Sequence, residues 1–104
     1  MNTLATIHRW LEAGKQIGKT ISFEKDAETY WLSVAVQKHE GVYKLYLDEI
    51  AESQMAAHED YETEIIRTAS TLQELPALMA LITTIKLEEL APLKGQKIFN
   101  PVFC

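Results

Sequence analysis

The chain of 104 residues holds one cysteine, Cys104, at its end. One thiol excludes an internal disulfide, and without Cys or His neighbours it makes no zinc site, so no cofactor or metal is expected from it. Cations are also few: ten Lys and Arg stand against fifteen Asp and Glu, a formal net charge of −5. Such a field repels phosphate backbones and anionic membranes, so the expected partner is a basic protein, with no nucleic acid and no membrane. Long hydrophobic runs are missing too. The longest, LPALMALI at 75–82, falls far short of the roughly 18 residues a membrane span requires, and no charged start followed by an apolar run marks a signal peptide. The expected location is the cytoplasm.

What the chain has is an ordinary globular balance, 47% hydrophobic and 24% charged residues, which suggests neither disorder nor low complexity. No internal repeat or linker divides it, and a chain of this length has room for a single domain, 1–104, burying somewhat over roughly 60% of its extended surface. Asn2 or Thr3 can cap a helix near residues 3–13, with Leu4, Ile7 and Leu11 at helical spacing and Gly14 to stop it. TISFEK then reads as a short strand and TYWLSVAVQKHEGVYKLYLDEI as a hairpin. With KHEG as a four-residue loop and Gly41 left-handed, Val36 pairs with Tyr43, Val34 with Leu45 and Leu32 with Leu47 on a core face. Ser33 then faces Tyr46 and Trp31 faces Asp48 on the other.

Ile50, Ala57, Tyr61, Ile65 and Leu72 fall at helical spacing, whereas YETEIIRTA has the β-branched content and alternation of a strand; of the two, a loop or short turn to residue 60 followed by a strand is the favoured expectation. Thr71 with Glu74 makes a capping box opening a helix whose Leu72, Leu75, Leu78, Met79, Ile82 and Ile85 form one apolar stripe, with Pro76 tolerated near its first turn. The tail APLKGQKIFNPVFC is too apolar for a disordered end and is expected to pack on the body. These elements describe an α+β fold in two layers, an antiparallel sheet of three to four strands with an N-terminal and a C-terminal helix.

Two motifs invite chemistry. AGKQIGKT at 13–20 matches the loose form of a phosphate-binding loop, but that loop works by following a strand and opening a helix, whereas here a helix precedes and a strand follows. Gly14 and Gly18 then read as turn residues joining helix to strand. In HEDYE, His58, Asp60 and Glu62 share one side of a strand, yet steps of roughly 6.5 Å keep three side chains from meeting one ion at about 2 Å. No nucleophile elbow, paired histidines or catalytic signature is present, so the expectation is a protein that is not an enzyme.

Asp48, Glu49, Glu52, Glu59, Asp60, Glu62 and Glu64 are not interrupted by any Lys or Arg from 45 to 66, an acidic region the size of a protein contact patch. Trp31 and Tyr46, on the hairpin face away from the core, are candidate interface anchors. With the hairpin YWLSVAVQKHEGVYKLYL, the strand ETEIIRTAS leading into STLQELPALMALI, and the order of elements, the chain resembles small bacterial immunity proteins of the contact-dependent growth inhibition type. That resemblance implies a cytoplasmic inhibitor that binds and neutralises a basic toxin domain, such as a nuclease. The alternative is a small homo-oligomeric domain, a homodimer for example, that binds a small molecule or performs simple chemistry between sheet and helices, with Trp31, Tyr46 and His39 near a shared site.

Overall fold

Thr3 opens the first helix, its hydroxyl accepting from the Thr6 N–H at 3.1 Å, and α1 runs Leu4–Glu12 until Gly14 turns the chain at φ +80°. The computed structural model describes residues 2–57, 63–95 and 97–102. Three long strands follow: β1 Ile17–Lys25, β2 Glu28–His39 and β3 Val42–Ala51. A six-residue helix, α2 Glu52–Ala57, stands where a loop was expected, and β4 Thr63–Ala69 is the predicted strand. A 3-10 turn, Leu72–Glu74, leads into α3 Leu75–Ile82, and a second, Leu87–Glu89, precedes a two-residue strand, β5 Ala91–Pro92.

All strand pairings are antiparallel, in the order β4-β3-β2-β1-β5. The fold is α+β, as expected, with five strands rather than three or four. β5 left no trace in the hydrophobic pattern because two residues, one of them Pro92, are too short to alternate. Its pairing of Pro92 with Ile17 is a tertiary contact.

The β2–β3 register also differs from expectation. His39 pairs with Val42, so the turn is the two residues Glu40 and Gly41, at φ +51° and +82°, and every partner slides by two. Two left-handed residues give the tight hairpin whose twist matches that of its strands, and Glu40 accepts that conformation although it is not glycine. A slip of two preserves the faces. Val36 now meets Leu45, Val34 meets Leu47, Ala35 meets Tyr46, Ser33 meets Asp48 and Trp31 meets Ile50.

The inner face carries the main core. Ile17, Val34, Val36, Tyr43 and Leu45 pack with Ile7 and Leu11 of α1 and with Leu72, Leu75, Met79, Ile85, Leu87 and Leu90. Leu78 and Ile82 of the predicted stripe are only partly buried against it, while Leu81 lies outside the stripe and is 81% exposed.

The outer face is crossed by the C-terminal tail. Phe99 stacks on Tyr46 with ring centroids 5.1 Å apart, and Ile98 joins them over Ala35. Gln16 fastens this segment: its Nε2 donates to Gln37 Oε1 and to the Phe99 carbonyl, each at 2.8 Å, and its Oε1 accepts from the Ile98 N–H at 2.8 Å. Gly18 is not a turn residue. It lies within β1 under this crossing, where a Cβ would stand 2.7 Å from the Val34 carbonyl oxygen and 2.9 Å from Ile98. The stretch AGKQIGKT therefore passes from the end of α1 into a strand, and Lys19 pairs with Glu89 at 2.9 Å.

Candidate protein-binding surface

Antiparallel pairing brings distant acidic segments to one end of the sheet. The end of β1, the start of β2, the end of β3 and the start of β4 lie together, as Glu24↔Thr29, Leu32↔Glu49 and Asp48↔Glu64 show. Glu24 and Asp26 are exposed there and Glu28 is half-buried, alongside half-buried Glu49 and exposed Glu52 and Glu64. Counting Asp48, this end holds seven described carboxylates and one cation, Lys25. Lys25 itself lies over the Tyr30 ring, 5.1 Å from its centroid. The remaining described chain has nine Lys and Arg against five carboxylates, so the molecule is bipolar. The sequence showed the 48–64 half of this acidic end, but the turn residues from 24 to 28 reach it only through the β1–β2 pairing.

Of the residues expected at the contact, Glu59, Asp60 and Glu62 lie outside the described residues, as does the HEDYE segment containing His58. Glu49, Glu52 and Glu64 are brought together at the acidic end. Asp48 and Tyr46 are not surface residues: they are 5% and 4% exposed. Tyr46 is capped by Phe99 and donates to Glu64 Oε2 at 2.6 Å, so it is a core residue rather than an anchor. Burial and the bond to Glu64 both push its hydroxyl pKa well up. Burial also pushes the Asp48 carboxyl up to about 6, against the opposing influence of the nearby Tyr46 hydroxyl, and the charge of Glu64 adds to the rise.

Trp31 is half-buried at the acidic end, cross-strand from Ile50. Four residues of β2 separate it from the partner of Tyr46, roughly 13 Å, so the two aromatics form no joint patch. His39 lies eight residues from Trp31 along the same strand, roughly 26 Å away, and a site shared by Trp31, Tyr46 and His39 is not assembled.

Between α1, the β2–β3 turn and the segment before α3 lies an open cleft of about 460 Å³, lined by Leu4, His8, Lys38, Tyr43, Ser70 and Gln73 among others. At its floor Lys38 Nζ donates to Glu12 at 2.7 and 3.0 Å, and the Tyr43 hydroxyl donates to the same carboxylate at 3.2 Å. Lys38 holds the Glu12 carboxyl below its usual range, and Glu12 raises Lys38 in return. Among the described residues no cluster of His, Cys, Asp and Glu could hold a metal ion, and no helix is long and apolar enough to cross a membrane.

The architecture defines an antiparallel α+β domain with an acidic end and a latched tail. Comparison with models of protein families, with curated proteins and with solved structures finds no match.

Proposed function

We propose that the chain is a non-catalytic protein-binding module, an immunity protein of the cytoplasm that neutralises a basic toxin domain by covering its cationic surface with the acidic end of the sheet. The observation that carries this reading is that Glu24, Asp26 and Glu28 lie toward the same end of the sheet as Glu49, Glu52 and Glu64, with Lys25 the one lysine or arginine described among them. Such a field raises the encounter rate with a cationic surface and disfavours anionic competitors. Trp31, half-buried beside this end, supplies an aromatic contact that slows release.

Affinity capture with the tagged full chain, followed by identification of what is retained, tests the reading. The expected partner is a basic protein whose expression arrests growth and whose toxicity co-expression of this chain relieves. Retention of only acidic or non-toxic proteins overturns it. A second reading, a small-molecule domain, is favoured by the cleft around His8, Lys38 and Tyr43 and predicts saturable binding there instead.

A further inference from the structure

We propose that the chain forms a two-fold dimer through its free sheet edge, with β4 pairing antiparallel to β4 of a second copy. β4 ends the sheet, and among the described residues no strand pairs with its outer side. At the opposite edge β5, with Pro92, covers part of β1. The seven residues of β4, TEIIRTA, include neither Pro nor Gly, Ile66 is 38% exposed, and the Ile66 carbonyl is met by the exposed Arg67 Nη1 at 2.8 Å, a contact that a pairing strand displaces where that carbonyl faces the edge. A strand edge of this kind is a template for another strand.

The sequence of β4 is complementary to itself. Centred on Ile66, an antiparallel two-fold pairing sets Ile66 against Ile66, Ile65 against Arg67, Glu64 against Thr68 and Thr63 against Ala69. No like charges oppose, and each residue meets one from the same face, so inner face continues into inner face. A shift of two residues in one direction places Arg67 opposite Arg67. A shift in the other leaves Thr68 and Ala69 without partners in β4.

Two further features favour a second copy over a foreign strand. Across the outer face Ala35 pairs with Tyr46 and Tyr46 with Ile66, with Phe99 stacked on Tyr46, and the two-fold pairing extends this apolar row directly into its own copy. The antiparallel arrangement also sets the acidic end of each copy beside the opposite end of the other, away from its acidic end, aligning two bipolar molecules head to tail. The pairing rests on the edge strand and not on the toxin-binding reading, so either can fail alone.

Sedimentation of the full chain from about 1 to about 500 µM is expected to show a species of twice the 11.8 kDa chain mass. Ile66→Lys, which sets two ammonium groups face to face, is expected to weaken it at least about tenfold with the circular dichroism spectrum unchanged. In a Cys104→Ser background, Ile66→Cys is expected to cross-link rapidly with oxidised glutathione, and Ile65→Cys, which faces Arg67 on the other side of the sheet, slowly. This comparison decides the matter if Ile66→Lys does not fold. A monomer throughout the concentration range, a dimer indifferent to Ile66→Lys, or equal cross-linking at 65 and 66 overturns the proposal.

Discussion

Asp48 is the buried carboxylate whose altered protonation falls within the ordinary working pH range. It sits on the outer face between Ser33 and Glu64, 5% exposed, with its carboxyl raised to about 6 from an ordinary 3.8. A raised folded pKa means that the folded state holds the proton more tightly than the unfolded chain. The associated stability is therefore full below about pH 4 and lost as pH rises through about 6. Asp48→Asn removes the charge at constant shape, and is expected to stabilise the protein at pH 7.5 by about 1–3 kcal/mol and to flatten stability between pH 4.5 and 7.5. Urea midpoints of both proteins at the two pH values provide the check. A destabilised variant at pH 7.5 would mean that the polar surroundings of the carboxylate, the Tyr46 hydroxyl among them, outweigh the cost of burial.

At the scale of elements, the tail depends on a few polar contacts more than on apolar area. Ile98 and Phe99 cover Ala35 and Tyr46, but the Gln16 amide sets where they lie, satisfying the Phe99 carbonyl and the Ile98 N–H with Gln37 as its neighbour. Gln16→Leu keeps the volume and deletes every side-chain bond, leaving buried backbone groups of the tail unpaired at about 1–3 kcal/mol each. The expected outcome is faster amide exchange at Ile98 and Phe99, with little change at Val34 and Leu45 on the inner face. Uniform acceleration across both faces would show that the tail and the main core open together. Gly18 belongs to the same crossing, since its missing Cβ is what lets Ile98 approach β1.

Across the whole molecule, the bipolar distribution is expected to act on association with the proposed partner more than on stability. Glu24 and Glu52 are exposed, and charges of that kind contribute little to folding. Combining Glu24→Lys and Glu52→Lys with Asp26→Asn, which keeps a residue tolerant of the left-handed turn at φ +55°, is therefore expected to leave the unfolding midpoint nearly unchanged. The same triple variant is expected to slow association with the captured basic partner about tenfold at low salt, with the difference shrinking at about 0.5 M salt. Stopped-flow or surface-based kinetics at the two salt concentrations measure this. Equal rates for variant and wild type would place recognition elsewhere, with Trp31 the next residue to substitute.

The α+β class, α1 with its Thr3 cap, the hairpin faces, the strand at 63–69 and the apolar stripe through Leu72, Leu75 and Met79 were legible in the sequence because each rests on local periodicity or a local cap. Register lay beyond such reasoning. A slip of two residues leaves the alternation intact, so the face of Tyr46 could be read from the pattern while its partner, Ala35, could not. Burial of the outer face around Ala35 and Tyr46 was decided by contacts between residues more than 80 positions apart, Gln16 with Ile98 and Phe99, and these removed Tyr46 from the surface. The acidic end follows the same rule: the 48–64 carboxylates are consecutive enough to see in sequence, whereas Glu24, Asp26 and Glu28 join them only because strands β1 and β2 fold antiparallel. Local physics selects elements and faces; which faces are covered, and which charges become neighbours, is set by pairings whose energy no short stretch of chain contains.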